Sequence, residues 1–463
     1  MHTFKKLYAA IVALTVWAGL TAPVASASQV DALIEKLVEK KILTRLDAET
    51  IRAEIETAQT KSFKEEIKRS NSWLDGITQK GDARLRYEAF SRENEDTSDR
   101  NRLRFRIRWG VEKKFNDEWK AGFRLASGTG TNEATSTNQS FDGEFGLKSV
   151  FFDQAYAKYT PTNRVKEWIP ATDMVEIGGG KVENPYAKWA TSIIWDGDVT
   201  PEGLYLAYDA NLWTGENDSW WKLHLLDGYF VLDEDSNLSP GDHEMWGHAI
   251  GTTYQWAKNH NASLKFTYYD WQDYAAFLKS SGALANNLGG NDREVEDFKV
   301  VNFYGEVNFE APTMLWGTQA FKVFGDYAHN TDAGSPLGAT SGSTALSNPA
   351  LRDDEDDAFS IGVSMGKPKE AGEWGIGYEY LHIEANATPG VFTESDLGVG
   401  HNNNRGHKLS YKYMLHKNIE LNFTAWLVER INKTKITYGS SDLTVNGDDD
   451  NLIRTQLDLV YKF

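Results

Sequence analysis

Hydrophobic and polar residues alternate strictly through Arg102-Leu103-Arg104-Phe105-Arg106-Ile107-Arg108-Trp109, with arginine at every even position. A period of two predicts a strand with two opposed faces. Leu103, Phe105, Ile107 and Trp109 seek a core or a lipid tail, whereas the arginines behind them seek water. Two architectures satisfy both faces at once: a soluble sheet with one wet side, or a membrane barrel with lipid outside and water inside.

The same design recurs after Gly81. Ala83, Leu85, Tyr87 and Ala89 alternate with Arg84, Arg86 and Glu88, and Trp119, Ala121, Phe123 and Leu125 alternate with Lys120, Gly122 and Arg124. Strands are predicted at 81–91, 101–114, 118–128, 150–160, 173–183, 203–210, 219–231, 245–257, 261–274, 297–310, 318–329, 357–366, 373–385, 406–416, 419–431 and 452–463. That is about sixteen, each near the length of a tilted membrane strand. Alternation is weakest at 151–159 and 204–209.

The connections choose between the architectures. Phe115 to Glu118, Lys258 to Asn261 and Lys417-Asn418 are tight, while Gly128 to Gly146, Leu278 to Asp292, Thr331 to Asp354, Asn386 to Asn404 and Tyr438 to Asp450 are long and polar. Short links alternating with long ones describe an outer-membrane barrel with short periplasmic turns and long external loops. A sandwich or propeller has no reason to sort its loops by parity. The chain ends on Leu457, Leu459, Tyr461 and Phe463 along one face, and Trp109, Trp374 and Tyr461 stand where interfacial aromatics belong. The fold class expected is all-β: a transmembrane antiparallel barrel of about 16 strands over residues 79–463.

Residues 28–78 follow a helical period instead, with Leu33, Ile34, Leu37 and Val38 on one face, then Ile51 and Ile55, then Phe63 and Ile67. Short amphipathic helices must dock their stripes on something, either as a trimerising or tethering periplasmic segment or as a plug or spacer. Residues 1–27 read as a signal peptide: Lys5-Lys6, an apolar run to about Leu20, and Ala25-Ser26-Ala27 before the expected cleavage. Export to the outer membrane follows. The net charge of −18 includes Lys5 and Lys6, so the mature chain is near −20, which argues against nucleic acid as a partner. Cysteine is absent, which removes disulfides and thiolate metal sites.

An arginine or lysine on the lipid face costs roughly 2–4 kcal/mol at the midplane, so the basic rows face the lumen. In that register Arg84, Arg86, Arg102, Arg104, Arg106, Arg108, Lys120 and Arg124 form a basic wall on three neighbouring strands, extended by Lys408, Lys412 and Arg454. Two roles are open to it: favouring anions, as rows of cationic side chains do in pores, or bracing the wall by pairing with acids. The connection from Pro185 to Gly203 carries Asp196, Asp198 and Glu202; folded inward, these acids would oppose the wall and set a transverse field across a constriction.

The sequence resembles the family of putative porins of Gram-negative outer membranes. The resemblance lies in Arg84-Leu85-Arg86-Tyr87, Trp119 with Gly122 to Gly128, Thr137-Asn138-Gln139, Asp153-Gln154-Ala155-Tyr156, and Trp195-Asp196-Gly197-Asp198 with Pro201-Glu202-Gly203. It implies a barrel channel of the outer membrane, with no substrate and no catalytic residues to carry over. Passive diffusion of small hydrophilic solutes and ions is the expected function, with outer-membrane lipid and lipopolysaccharide around the barrel. A homotrimer is expected by analogy with sixteen-stranded porins.

Two other functions compete. A barrel enzyme needs a nucleophile, a base and an orienting group; His407 with Ser410 and His243 with Asp242 are the candidates, and neither forms a recognisable arrangement. A saccharide- or anion-selective channel is suggested by the tryptophans, among them Trp189, Trp195, Trp220, Trp221 and Trp271. Gly178-Gly179-Gly180-Lys181 lacks the Ser/Thr of a phosphate loop and reads as a strand. The acidic runs Asp353 to Asp357 and Asp448 to Asp450 lack the spacing of a calcium loop and read as solvated loops sharing divalent ions with lipopolysaccharide. No catalytic residue, metal or cofactor is expected.

Overall fold

The computed structural model describes residues 75–463, apart from 93–98, 130–133, 235–242, 273–297, 334–354, 385, 398–401, 432–435, 439–442 and 446–450. The expected signal peptide, the expected helical segment up to residue 74, the acidic run Asp448 to Asp450, and Asp353 and Asp354 of the other run lie outside the described residues.

The strands are β1 (Ile77–Arg92), β2 (Arg100–Lys114), β3 (Trp119–Ser127), β4 (Gln139–Ser140), β5 (Val150–Tyr159), β6 (Thr172–Lys181), β7 (Glu202–Thr214), β8 (Trp220–Asp233), β9 (His243–Ala257) and β10 (His260–Gln272). They continue as β11 (Phe298–Thr313), β12 (Gly317–Asn330), β13 (Asp357–Met365), β14 (Trp374–Ile383), β15 (Asn404–His416), β16 (Ile419–Arg430), β17 (Ile436–Tyr438), β18 (Leu443–Val445) and β19 (Leu452–Lys462). Sixteen of them close an antiparallel barrel in which each pairs with its sequence neighbours and β19 returns to β1. The two-residue β4 is an extra rung on β2 inside the β3–β5 connection, and β17 with β18 forms a separate hairpin in the last long loop. The barrel begins at Ile77, so Ile77 and Thr78 belong to β1 rather than to the preceding segment.

Alternation sets the faces. Leu85, Tyr87, Leu103, Ile107 and Trp109 are exposed on the outside, while Arg86, Arg104 and Arg106 are buried on the inside. Aromatic pairs mark two belts on the outer surface. Trp119 stacks on Tyr159 at 4.5 Å and Trp316 meets Trp374 at 5.2 Å at the short-turn end, and Tyr229 meets Trp246 at 4.7 Å towards the long-loop end. Among the described residues the outer face between the belts is mostly apolar, and β8 and β9 depart from this. There Asp227 and His248 pair at 2.5 Å, both exposed, one position in from Tyr229 and Trp246.

One of the weakly alternating segments, 151–159, is bulged, while the slip in β7 falls just beyond 204–209. The β3–β5 register slips between Arg124 and Leu125, so Asp153 and Gln154 are consecutive yet both buried inward. On β7 the register slips between Asn211 and Trp213. One connection at the short-turn end, residues 160–171, carries a helix, α1 (Thr162–Trp168), in a stretch that alternation left unassigned. Gly178 and its neighbours lie in β6, and a Cβ on Gly178 would stand 2.6 Å from the Tyr205 hydroxyl, so the glycine makes room for that lumen tyrosine.

The seam is closed by the last residue. Gly81 and Phe463 exchange backbone hydrogen bonds of 2.9 and 3.0 Å, and a Cβ on Gly81 would stand 2.5 Å from Phe463 Cζ. The register β1–β19 then runs from Asp82 with Lys462 to Arg92 with Leu452.

Two long connections, residues 182–201 and 384–403, turn into the lumen. Their apolar side chains make the core there: Tyr186, Ile193, Ile194 and Trp195 from the first, Ala387, Phe392 and Leu397 from the second, against Tyr269, Trp271, Phe298, Leu381 and Trp426 of the barrel.

Candidate pore constriction

The pairing register lines up the inner face of three strands. Across β1 and β2, Asp82 opposes Arg108, Arg84 opposes Arg106, Arg86 opposes Arg104 and Glu88 opposes Arg102; across β1 and β19, Arg86 opposes Asp458 and Phe90 opposes Arg454. Arginines on adjacent strands would repel in a half-buried wall, and burying charge is tolerable only where it is paired. Carboxylates of the same wall supply the pairing. Asp82 accepts from Arg108 Nε at 2.6 Å and from Arg106 Nη2 at 2.8 Å. Asp458 takes Arg86 in a two-pronged grip at 2.7 and 2.8 Å. Glu88, fully buried, accepts from Arg454 Nε at 2.8 Å, from Gln456 at 2.9 Å and from Arg102.

The inward loops add two more acids. Asp198 lies 3.1 Å from Arg108 Nη1 and 3.6 Å from Arg106 Nη1. Asp396 lies 2.6 Å from Arg454 Nη2 and 3.2 Å from Arg86 Nη1. Burial alone would raise the Asp396 carboxyl, but the Arg454 and Arg86 guanidiniums hold it far below the usual carboxylate range. Seven arginines, Arg84, Arg86, Arg102, Arg104, Arg106, Arg108 and Arg454, thus meet five carboxylates, Asp82, Glu88, Asp458, Asp198 and Asp396. Arg84 stands 3.8 Å from Asp458 and bonds the neutral Asn138 of the β3–β5 connection, and Arg104 stands 4.0 Å from Glu88 and 3.5 Å from the Ser136 hydroxyl of the same connection.

The loops also hold each other. Asp196 N–H donates to Phe392 O at 2.6 Å, Glu394 N–H donates to Ser192 O at 2.9 Å, and the Thr388 hydroxyl donates to Ile193 O at 2.9 Å. The Asp196 carboxylate touches no arginine. It accepts the Asp198 and Ser395 N–H groups at 2.9 and 3.0 Å, and burial, with Glu394 and Asp198 nearby, pushes it well above the ordinary carboxylate value. The far side of the first loop is pinned to the opposite wall, where Thr191 N–H donates to Asp326 at 2.5 Å and the Tyr186 hydroxyl donates to Gly247 O at 2.6 Å. The lumen is therefore crossed, from β9 and β12 through both loops to the arginines of β1, β2 and β19.

The remaining predicted residues sit away from the arginine ladder, although Lys408 reaches the second loop. Lys120 approaches Glu176 at 3.7 Å and Glu112 at 4.0 Å, and Arg124 pairs with Asp153. Lys408 lies 3.4 Å from Glu394 and 4.4 Å above the Trp426 ring, and Lys412 pairs with Glu420 at 2.9 Å. Glu202 opens β7 and pairs with Lys181 at 2.8 Å, apart from the wall. Sequence reasoning missed Asp82, Glu88 and Asp458, although alternation places them on the arginine face. It also missed Glu394 and Asp396, for which spacing offers no signal because they arrive by a long loop.

The tryptophans proposed as sugar platforms are used otherwise. Trp195 is buried among Tyr186, Tyr269, Trp271 and Phe392 and donates to the Tyr269 hydroxyl at 3.1 Å; Trp189 and Trp271 are buried, and Trp221 faces outward.

Among solved structures, the chain is similar to OprB of Pseudomonas putida at high pH, with 9% identity, TM-score 0.45, and coverage of 85% of this chain and 96% of that one. OmpT of Vibrio cholerae, in a trimer form, gives 12% identity, TM-score 0.42 and coverage of 84% and 100%. A porin variant from Rh. blastica gives 9% identity, TM-score 0.39 and the same coverage. No curated protein sequence matches the chain. The family model described as "Putative porin" matches residues 88–308 and 295–446. Those two matches span most of the barrel and well over half of the chain, and the protein belongs to that porin family.

Proposed function

We propose that the protein is an outer-membrane porin through which small hydrophilic solutes and ions diffuse passively past a charge-lined constriction. The observation that carries this reading is the closed sixteen-stranded barrel with an apolar outer belt and an inner face of ionised side chains. Selectivity is assigned to Arg84, which stands 3.8 Å from Asp458 and bonds the neutral Asn138, and the sign is a mild preference for anions. Arg86, Arg106, Arg108 and Arg454 hold the loops in place.

Further parts of this reading are export by the leader at 1–27, a separate periplasmic segment at 28–78, and trimeric assembly in a membrane whose outer leaflet is lipopolysaccharide. A channel rather than an enzyme is favoured by the placement of the enzyme candidates. On β15 His407 faces outward against Tyr378, at 2.8 Å, whereas Ser410 faces inward and bonds Gly377 O at 3.4 Å, so the two lie on opposite sides of the wall.

The test is single-channel conductance and reversal potential in a planar bilayer under a salt gradient. Discrete steps with a reversal potential on the anion side are expected. Folded, inserted protein that produces no steps would overturn the channel.

A further inference from the structure

The outward rows of β12, β13 and β14 are apolar or aromatic through the lipid belt, with Val323, Phe359, Ile361, Val363 and Ile376 all exposed there. Their external ends change character. The buried Ala328, Ala358 and Leu381 point inward, so their neighbours His329, Asp357 and His382 project from the outer side at the level where strands give way to loops. His329 Nδ1 lies 3.0 Å from Asp357 and 3.6 Å from Asp356, and one donor atom from each of the three comes within 4.8 Å of the others. A second layer orients them. The Tyr327 hydroxyl donates to Asp357 at 2.7 Å, Asp357 N–H donates to Glu384 at 2.8 Å, and Glu384 in turn faces His382 Nε2 at 3.3 Å.

We propose that His329, Asp356 and Asp357 bind one divalent transition-metal ion, of which Zn2+ is the representative, on the outer side of the barrel at its external rim. Carboxylates on a loop alone are commonly solvated; here the ends of two paired strands fix an imidazole beside two carboxylates, with the Tyr327 hydroxyl orienting one of them. Imidazole with carboxylate favours first-row transition ions and zinc over calcium or magnesium, whose ligands are oxygens. Three protein ligands leave a coordination position open. It faces the headgroup layer, where a phosphate oxygen can fill it.

The experiment titrates tag-free, metal-stripped, folded protein in detergent with Zn2+, and separately with Ca2+, by calorimetry. One equivalent of Zn2+ is expected to bind, with affinity lowered at least about tenfold by His329→Ala and by Asp357→Asn, and with channel conductance unchanged because these side chains lie outside the lumen. Folding of each variant is read from heat-modifiable gel mobility, and Asp356→Asn serves where Asp357→Asn fails to fold. Three results would overturn the assignment: no saturable binding, Zn2+ binding indifferent to all three substitutions, or Ca2+ bound as tightly as Zn2+ with His329→Ala silent.

Discussion

Asp198 Oδ1 lies 3.1 Å from Arg108 Nη1, joining the loop that leaves the wall at β6 to β2 of the arginine ladder. Asp198 also accepts from the Thr137 hydroxyl at 3.3 Å, so one carboxylate ties two connections to the ladder. The contact is partly buried and its geometry is fixed on both sides. Replacing it, Asp198→Asn, should therefore change the behaviour of the loops more than the existence of the barrel. The expected outcome is an intact barrel with larger and noisier single-channel steps. Unchanged steps in the variant would count against the tether.

The looser hold on Arg84 makes a sharper prediction than the basic wall as a whole. Arg84→Gln should move the reversal potential towards zero or the cation side, whereas Arg106→Gln, by leaving Asp82 and Asp198 short of a partner, should disturb loop order as well as selectivity. Comparing reversal potential with current noise in the two variants separates the roles. Equal effects on both readouts would show that no division exists.

Acidity should tighten the crossing of the lumen. Folding raises the Asp196 carboxyl, first by burial and then through Glu394 and Asp198. A raised acid contributes stability that is complete below the unfolded value near 3.9 and is lost as pH rises through the folded value. Asp396 has the opposite sign: its depressed value means that its pairing with Arg454 and Arg86 is present above about 3.9 and survives until pH falls far below it. Lowering pH from neutral to mildly acidic should therefore relieve Asp196 without releasing Asp396. Flicker in single-channel records should fall over that range, and Asp196→Asn should be quiet at both ends. A variant that keeps the wild-type pH dependence would exclude Asp196 as its source.

Trp195 packs rather than stacks on a solute, so Trp195→Ala should cost about 3–5 kcal/mol of the loop's docking energy, in the range of buried tryptophan deletions. Limited proteolysis of the folded barrel reads this directly: residues 182–201 become cleavable while the strands stay protected. A variant as resistant as the wild type would place Trp195 outside the packing.

Asp227 and His248 stand exposed between the aromatic belts, where neighbouring outward residues are apolar. Ionisable groups in the lipid belt are costly. Replacing both by leucine should stabilise refolded protein in bilayers by on the order of 1 kcal/mol if lipid covers this face. Weaker subunit association with unchanged barrel stability would show instead that a neighbouring subunit covers it.

Much of the barrel is written in the period-two pattern. The ends of most strands follow from where alternation stops, and the inward sense of Arg86, Arg104 and Arg106 follows from the cost of turning them to lipid. The same pattern runs through Asp82, Glu88 and Asp458, whose place beside the arginines was legible but overlooked. The failures lie where a local period carries no information. A bulge at Asp153 puts two consecutive side chains on one face and erases the alternation. The helix at 162–168 interrupts a connection that composition alone leaves open. The path of a long loop depends on contacts hundreds of residues away, so Asp198 could be placed against the wall by charge complementarity, Glu202 could not be told apart from it, and Asp396 gave no sign of arriving at Arg454.

The seam at Gly81 and Phe463 gives the ladder a second meaning. Arg86 with Asp458 and Glu88 with Arg454 join the first strand to the last, across separations of 372 and 366 residues. Until the carboxyl terminus is in place, Glu88 and Arg86 lack those partners, and both edges of the sheet stay open to foreign strands. The constriction and the clasp are one object: the charges that govern passage take up their arrangement only when the ring has shut. A chain cut short before β19 would lose its gate and its closure in the same stroke.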